Sequence, residues 1–73
     1  MDTLKERQTE LKRQAQTASI EARCISLKPG QKLSEKVIDL QTYQRIRIRL
    51  SRNKNINTRV ELIGDNCVVT RLN

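Results

Sequence analysis

From Leu4 to Ala22 the chain contains no Gly or Pro, and positions 4, 8, 11, 15, 18 and 22 are Leu, Gln, Leu, Ala, Ala and Ala. Steps of four and three in alternation predict a helix over residues 1–22 with a coiled-coil seam along one side. Thr3 followed by Glu6 has the spacing of a capping box at its start. The seam is thin, because Gln8 interrupts it and alanine buries little surface. An isolated helix of this length is marginal in water, so the segment needs something to pack on. Three arrangements supply it: self-association through Leu4, Leu11, Ala15, Ala18 and Ala22, packing on the chain's own domain, or ordering as an arm on a partner.

The period changes after Glu21. Ile25 and Leu27 alternate with Cys24, Ser26 and Lys28, and Leu33 and Val37 resume the alternation beyond Pro29-Gly30. Pro suits the second position of a tight turn and Gly the third. The pattern predicts a β-hairpin over about 23–28 and 32–38, with a helix starting at Ser34 as the competing reading. Near the other end, Thr58–Ile63 reads as a strand with Val60 and Leu62 on one face. Gly64-Asp65-Asn66 is turn chemistry and Cys67–Leu72 is rich in β formers, which together make a second hairpin.

The segment between the hairpins, Tyr43 to Arg52, fits two backbones. As a strand it points Ile46, Ile48 and Leu50 inward and Arg45, Arg47 and Arg49 outward. As a helix it gathers Leu40, Tyr43, Ile46, Arg47 and Leu50 on one face and Gln41, Arg45, Ile48, Arg49 and Arg52 on the other. The strand accounts better for Ile48. Helix formers within the segment and two candidate N-caps before it, Asp39 and Thr42, favour the helix. The resulting expectation is an α+β fold in the order α-β-β-α-β-β. Residues 1–22 form the N-terminal helix and residues 23–73 a small basic domain.

Charge gives that middle segment its interest. The window between Leu40 and Val60 holds Arg45, Arg47, Arg49, Arg52, Lys54 and Arg59 and no acid, in a chain whose net charge is +7. A pI near 10.1 with its charge so clustered points to a polyanionic partner. Catalysis is not expected. The chain has no His, no phosphate-cradling Gly-rich loop and no evident carboxylate pair. Cys24 and Cys67 lack an activating base and read as core thiols. Two separated cysteines do not make a zinc site, so no metal or cofactor is expected. No apolar run is long enough for a membrane span, and no signal peptide precedes the cysteines, which suggests a soluble, cytoplasmic protein. At 73 residues the chain makes one marginal domain, for which homo-oligomerisation is a ready source of extra stability.

Leu27-Lys28-Pro29-Gly30, then Tyr43-Gln44-Arg45-Ile46-Arg47 with Leu50-Ser51-Arg52, then a hairpin ending Val69-Thr70-Arg71-Leu72 resembles small uncharacterised basic proteins of bacteriophages and mobile elements. The resemblance covers residues 25–72. It implies a helix followed by a β-wing, in a bacterial or phage-infected cell, and carries no assigned activity.

The candidate nucleic-acid-binding residues are Arg45, Arg47, Arg49, Arg52, Lys54, Arg59, Gln41 and Gln44. Arginine and lysine suit phosphates, and glutamine suits adenine edges. Tyr43 is the only aromatic residue, which favours duplex DNA over stacked single strands. A regulator or accessory protein that binds duplex DNA mainly through phosphates is the leading reading. An interaction or inhibitor module for an acidic host-protein surface uses the same charges. An oligomeric structural or assembly protein is the third reading.

Overall fold

A computed structural model describes residues 3–73. Helix α1 (Thr3–Ile25) is followed by strand β1 (Lys32–Lys36), helix α2 (Leu40–Arg52), and strands β2 (Thr58–Ile63) and β3 (Asn66–Arg71). The α+β class stands, with one strand fewer than the sequence pattern suggests. The strands form one antiparallel sheet in the order β1-β3-β2, so the last strand lies in the middle.

Segment 23–28 is where the expectation fails. Helix α1 continues through Cys24 to Ile25, because Thr17, Ile20 and Cys24 recur at helical spacing and all three are buried. The guanidinium of Arg71, at the end of β3, caps this end of the helix. Its Nη1 donates to the carbonyls of Cys24, Ile25 and Leu27 at 3.2–3.3 Å. Lys28-Pro29-Gly30-Gln31 is the anticipated turn. The Gln31 N–H donates to the Lys28 carbonyl, and Gly30 supplies a φ of 88° that the third position of such a turn requires. Strand β1 therefore has no hairpin partner next to it in sequence. It pairs with β3 instead, Leu33 opposite Val69 and Glu35 opposite Cys67.

The second hairpin forms as expected. Ile63 pairs with Asn66 across a two-residue Gly64-Asp65 turn. Gly64 has φ 61° and no other residue of the turn has a positive φ, the pattern of a type II′ turn, whose twist matches the flanking strands.

Residues 40–52 are helical. Asp39 is the N-cap, accepting from the Thr42 backbone N–H at 2.9 Å and from the Thr42 hydroxyl at 2.8 Å. Of the two candidates Asp39 caps the helix, and Thr42 goes into the core. The buried side of α2 is Thr42, Ile46 and Leu50, with Tyr43 partly covered, whereas Leu40 is left exposed. The core joins these to Ile20 and Cys24 of α1, Val37, Ile56, and Cys67 and Val69 of β3. Helix α1 thus belongs to the same core as the rest of the chain.

Helix α1 carries two seams, and the pattern of apolar residues singles out the one that the fold does not use. Glu10, Arg13, Thr17, Ile20 and Cys24 also follow steps of three and four, and this side faces the domain. The other side, with Leu4, Leu11, Ala15, Ala18 and Ala22, is exposed throughout. Only the C-terminal half of the inward seam is buried. Its N-terminal half is polar and meets α2 through ion pairs.

Candidate functional site

The arginines of α2 have no acid near them in sequence, but two have one in space. The Glu10 carboxylate of α1 accepts from both terminal nitrogens of Arg45, and Glu21 accepts from Arg49 Nε at 3.1 Å. A third link closes the same interface, Arg13 of α1 donating to Asp39 at 2.8 Å. These acids lie 35 and 28 residues away from their arginines, a distance at which no local pattern announces a pairing. A hint was present all the same. Glu10 and Glu21 are about three helical turns apart and stand seven and four positions from Thr17, so both fall on the side of α1 that carries the buried Thr17.

The pairing leaves its mark on the carboxyl groups. Arg45, and secondarily Arg13, hold the Glu10 carboxyl below the ordinary range for glutamate. The Thr42 backbone N–H lowers Asp39 first, with its hydroxyl and Arg13 adding to the effect. At Glu35 burial acts upward and is outweighed by hydrogen bonds from Arg23 and Gln16. Opposite charge and hydrogen bonding to the ionised form both act in this direction.

Arg45, Arg49 and Arg52 line a groove of about 550 Å³ between α1 and α2, together with Gln14, Thr17, Glu21, Ile48 and Asn53. Ile48, about half exposed, lies at its rim. Because Glu10 and Glu21 engage two of the three arginines, the groove is less positive than its arginine content suggests.

The other basic residues divide between two places. Arg47 lies with its guanidinium 6.0 Å from the centre of the Tyr43 ring, within the range of a cation–π contact. Gln44, Arg47, Ile48 and Ser51, spaced three, four and seven along α2, form one exposed row bordering a shallow hollow. Arg47 and Ser51 also border a second hollow with Asn57 and Thr58. Ser51 and Asn57 border a third with Asn53, Lys54, Asn55 and Asn73. These hollows adjoin through shared residues, and among the described residues no carboxylate side chain borders any of them. Gln41 is exposed in the first turn of the same helix.

Arg59 stands apart from this group. Val60 packs against the core, so its neighbour Arg59 points to the opposite face of the sheet. There it shares a row with Thr70 of β3 and Lys32 of β1. The structure therefore brings Gln44, Arg47 and Lys54 onto adjoining surface, turns Arg45 and Arg49 toward α1, and separates Arg59. Ser51, Asn55 and Asn57 carry no signal of their own in the sequence, because a polar loop of this kind is ordinary turn material until Arg47 is placed beside it.

Cys24 and Cys67 are both free and lie in the core at 0% and 1% exposure. Burial raises both thiols, Cys67 to about 11, so neither is a thiolate near neutrality. Among the described residues no group of three or more His, Cys, Asp or Glu is placed to hold a metal ion, and no helix is long and apolar enough to cross a membrane.

No family model, curated protein or solved structure matches the chain. The fold defines a small basic α+β domain, and the functional reading rests on the chemistry of its surface.

Proposed function

We propose that this protein binds duplex DNA, mainly through phosphates, using the exposed row of α2 and the loop that follows it. The observation that carries the reading is the surface without bordering acidic side chains that runs from Gln44 through Arg47 and Ser51 to Lys54 and Asn57. Arg47 and Lys54 supply charge. The serine hydroxyl and the asparagine amides supply donors of the kind that contact phosphate oxygens in DNA complexes. Arg52, at the last turn of α2, adds charge at the edge. Gln44 is placed to reach a base edge, and Ile48 a thymine methyl, if the row enters a groove.

Arg45 and Arg49 are secondary in this reading, since a phosphate would have to compete with Glu10 and Glu21. Exposed ion pairs are weak, so the competition is open to an incoming polyanion, but these two arginines are not the first to meet it.

A fluorescence anisotropy titration of a mixed-sequence duplex at several salt concentrations tests the proposal. Affinity should fall with salt along a log–log line whose slope reports the number of phosphates neutralised. Replacing Arg47 and Lys54 by Ala should weaken binding across all sequences and flatten that slope by about 1 for each cation removed. No binding at low salt rejects the reading and leaves an acidic protein surface as the partner for these charges.

A further inference from the structure

The sheet has two edge strands, β1 and β2, and the fold protects only the first. Hydrogen bonding alternates along an antiparallel pair, so every second residue of an edge strand turns its N–H and C=O away from the sheet. At the β1 edge, the Lys36 carbonyl accepts from Gln16 Nε2 of α1 at 2.8 Å, and Gln16 Oε1 accepts from the Ile38 N–H at 3.0 Å. Helix α1 therefore clips that edge at its end. Strand β1 is also short and carries Lys32, Glu35 and Lys36, charges of the kind that discourage pairing with another strand.

The β2 edge has no such cover. Across a two-residue turn, Ile63 and Asn66 form a hydrogen-bonded pair. At the far end of the same ladder the Leu72 N–H donates to the Asn57 carbonyl at 2.7 Å. Both ends agree that residues 57, 59, 61 and 63 bond to β3, which leaves Thr58, Val60 and Leu62 with main-chain groups turned outward. Among the described residues no other main-chain group hydrogen-bonds to these three. Leu62 is 37% exposed, although it lies on the face of the sheet that Val60 turns to the core.

We infer that this free edge pairs with β2 of a second copy of the chain, antiparallel about a two-fold axis at Val60. The register sets Val60 on Val60, and by symmetry sets Thr58 on Leu62 and Arg59 on Glu61 twice each. Thr58, Val60 and Leu62 then exchange N–H and C=O groups with their opposite residues. Arg59 and Glu61 share the outer face of the sheet, where their neighbours on β3 are the uncharged Thr70 and Val68. Neither makes an ion pair among the described residues of its own chain, and the second copy supplies one for each. On the inner face, Leu62 of each copy meets Thr58 of the other, at the border of the hollow that Leu50, Ile56 and Val60 help to line.

Charge selects this register over its neighbours. Centring the pair on Arg59 opposes two arginines, and centring it on Glu61 opposes two glutamates. Like charges directly opposite each other destabilise a strand pair. Centring between two residues would match side chains from opposite faces of the sheet. The edge is complementary to itself, and an interface that uses the same patch on both copies closes at two. Arg47 borders the same hollow, so the inference is tested by mass, without nucleic acid, and stands or falls apart from the DNA reading.

Sedimentation equilibrium of the full chain should show a concentration-dependent rise from 8.5 kDa to twice that mass. Arg59→Glu and Glu61→Arg each turn both cross-copy pairs repulsive, and each should weaken self-association by about tenfold. Both sites are exposed, so the melting temperature of each variant at high dilution should match that of the parent. Mixing the two variants restores opposite charges at both pairs, and the mixture should associate about as tightly as the parent. The double variant Arg59→Glu/Glu61→Arg should do the same on its own. A parent chain that stays at the single mass, single variants that associate like the parent, or a mixture no tighter than its components would each overturn the proposal.

Discussion

Arg13 and Asp39 tie the two helices together at the point where α2 begins. Arg13 Nε and Nη2 both lie 2.8 Å from Asp39 Oδ2, while Asp39 Oδ1 accepts from the Thr42 backbone N–H and hydroxyl. One carboxylate thus caps α2 with one oxygen and holds α1 with the other. Asp39→Ala should remove both roles, costing about 1 kcal/mol for the cap alone and more in total. Asp39→Asn keeps an acceptor for Thr42 and loses the charge. It should fall between the parent and Asp39→Ala in urea denaturation, and an Asn variant as unstable as the Ala variant would assign most of the effect to Arg13.

Acid should unfold the protein through the same carboxyls. Glu10, Glu35 and Asp39 are all held below their ordinary values of 4.5, 4.5 and 3.8 in the folded state. Such groups contribute stability that is fully present above the unfolded-state pKa and is lost as pH falls through the depressed folded-state value. The melting temperature should therefore depend little on these groups between neutrality and about pH 5 and should fall below about pH 4. Asp39→Asn should have a shallower acid limb than the parent. Calorimetry across this range checks both, and equal limbs would remove Asp39 from the account.

Thiol chemistry offers a measure of global opening. Cys24 and Cys67 lie at almost zero exposure in the common core, and the thiolate is the reactive form. Alkylation at neutral pH should be much slower than that of a model thiol, and urea should accelerate it along the unfolding transition. Rapid labelling of the folded protein would mean that the core around β3 opens locally.

Ion pairing in space separates two groups of arginines that look equivalent in sequence. Arg45→Ala and Arg49→Ala should reduce duplex affinity less than Arg47→Ala and Lys54→Ala. They should also lower the melting temperature slightly, because they break partly exposed pairs to α1, which are weak. Anisotropy and thermal melting of the four single variants distinguish the groups. The reverse ranking of affinities would move the candidate site to the groove between the helices.

What could be read along the chain was local. Asp39 as a cap, Pro29-Gly30 as a turn and the Thr58–Ile63 strand are each set by neighbouring residues and found where the pattern puts them, and the Gly64-Asp65-Asn66 turn is found one residue shorter, with Asn66 already in β3. What could not be read depends on partners far away in sequence. The end of α1 is fixed by Arg71 and the place of β1 by β3, and Glu10 and Glu21 neutralise arginines that stand alone in the sequence. Residues 23–28 alternate like a strand, yet Cys24 is drawn into the helix by the same burial that claims Thr17 and Ile20. The helical period of the inward seam was available, but half of it is polar and the outer seam is the more apolar to the eye.

The position of β3 also governs when this fold can exist. Both β1 and β2 pair with it and not with each other, and its Arg71 closes the end of a helix made some fifty positions earlier. A nascent chain halted just before β3 holds two helices and two strands with nothing to join the strands. Such a chain also lacks Cys67 and Val69 from its core. Assembly of the sheet therefore waits for β3, and until then Val60 has no core to pack against.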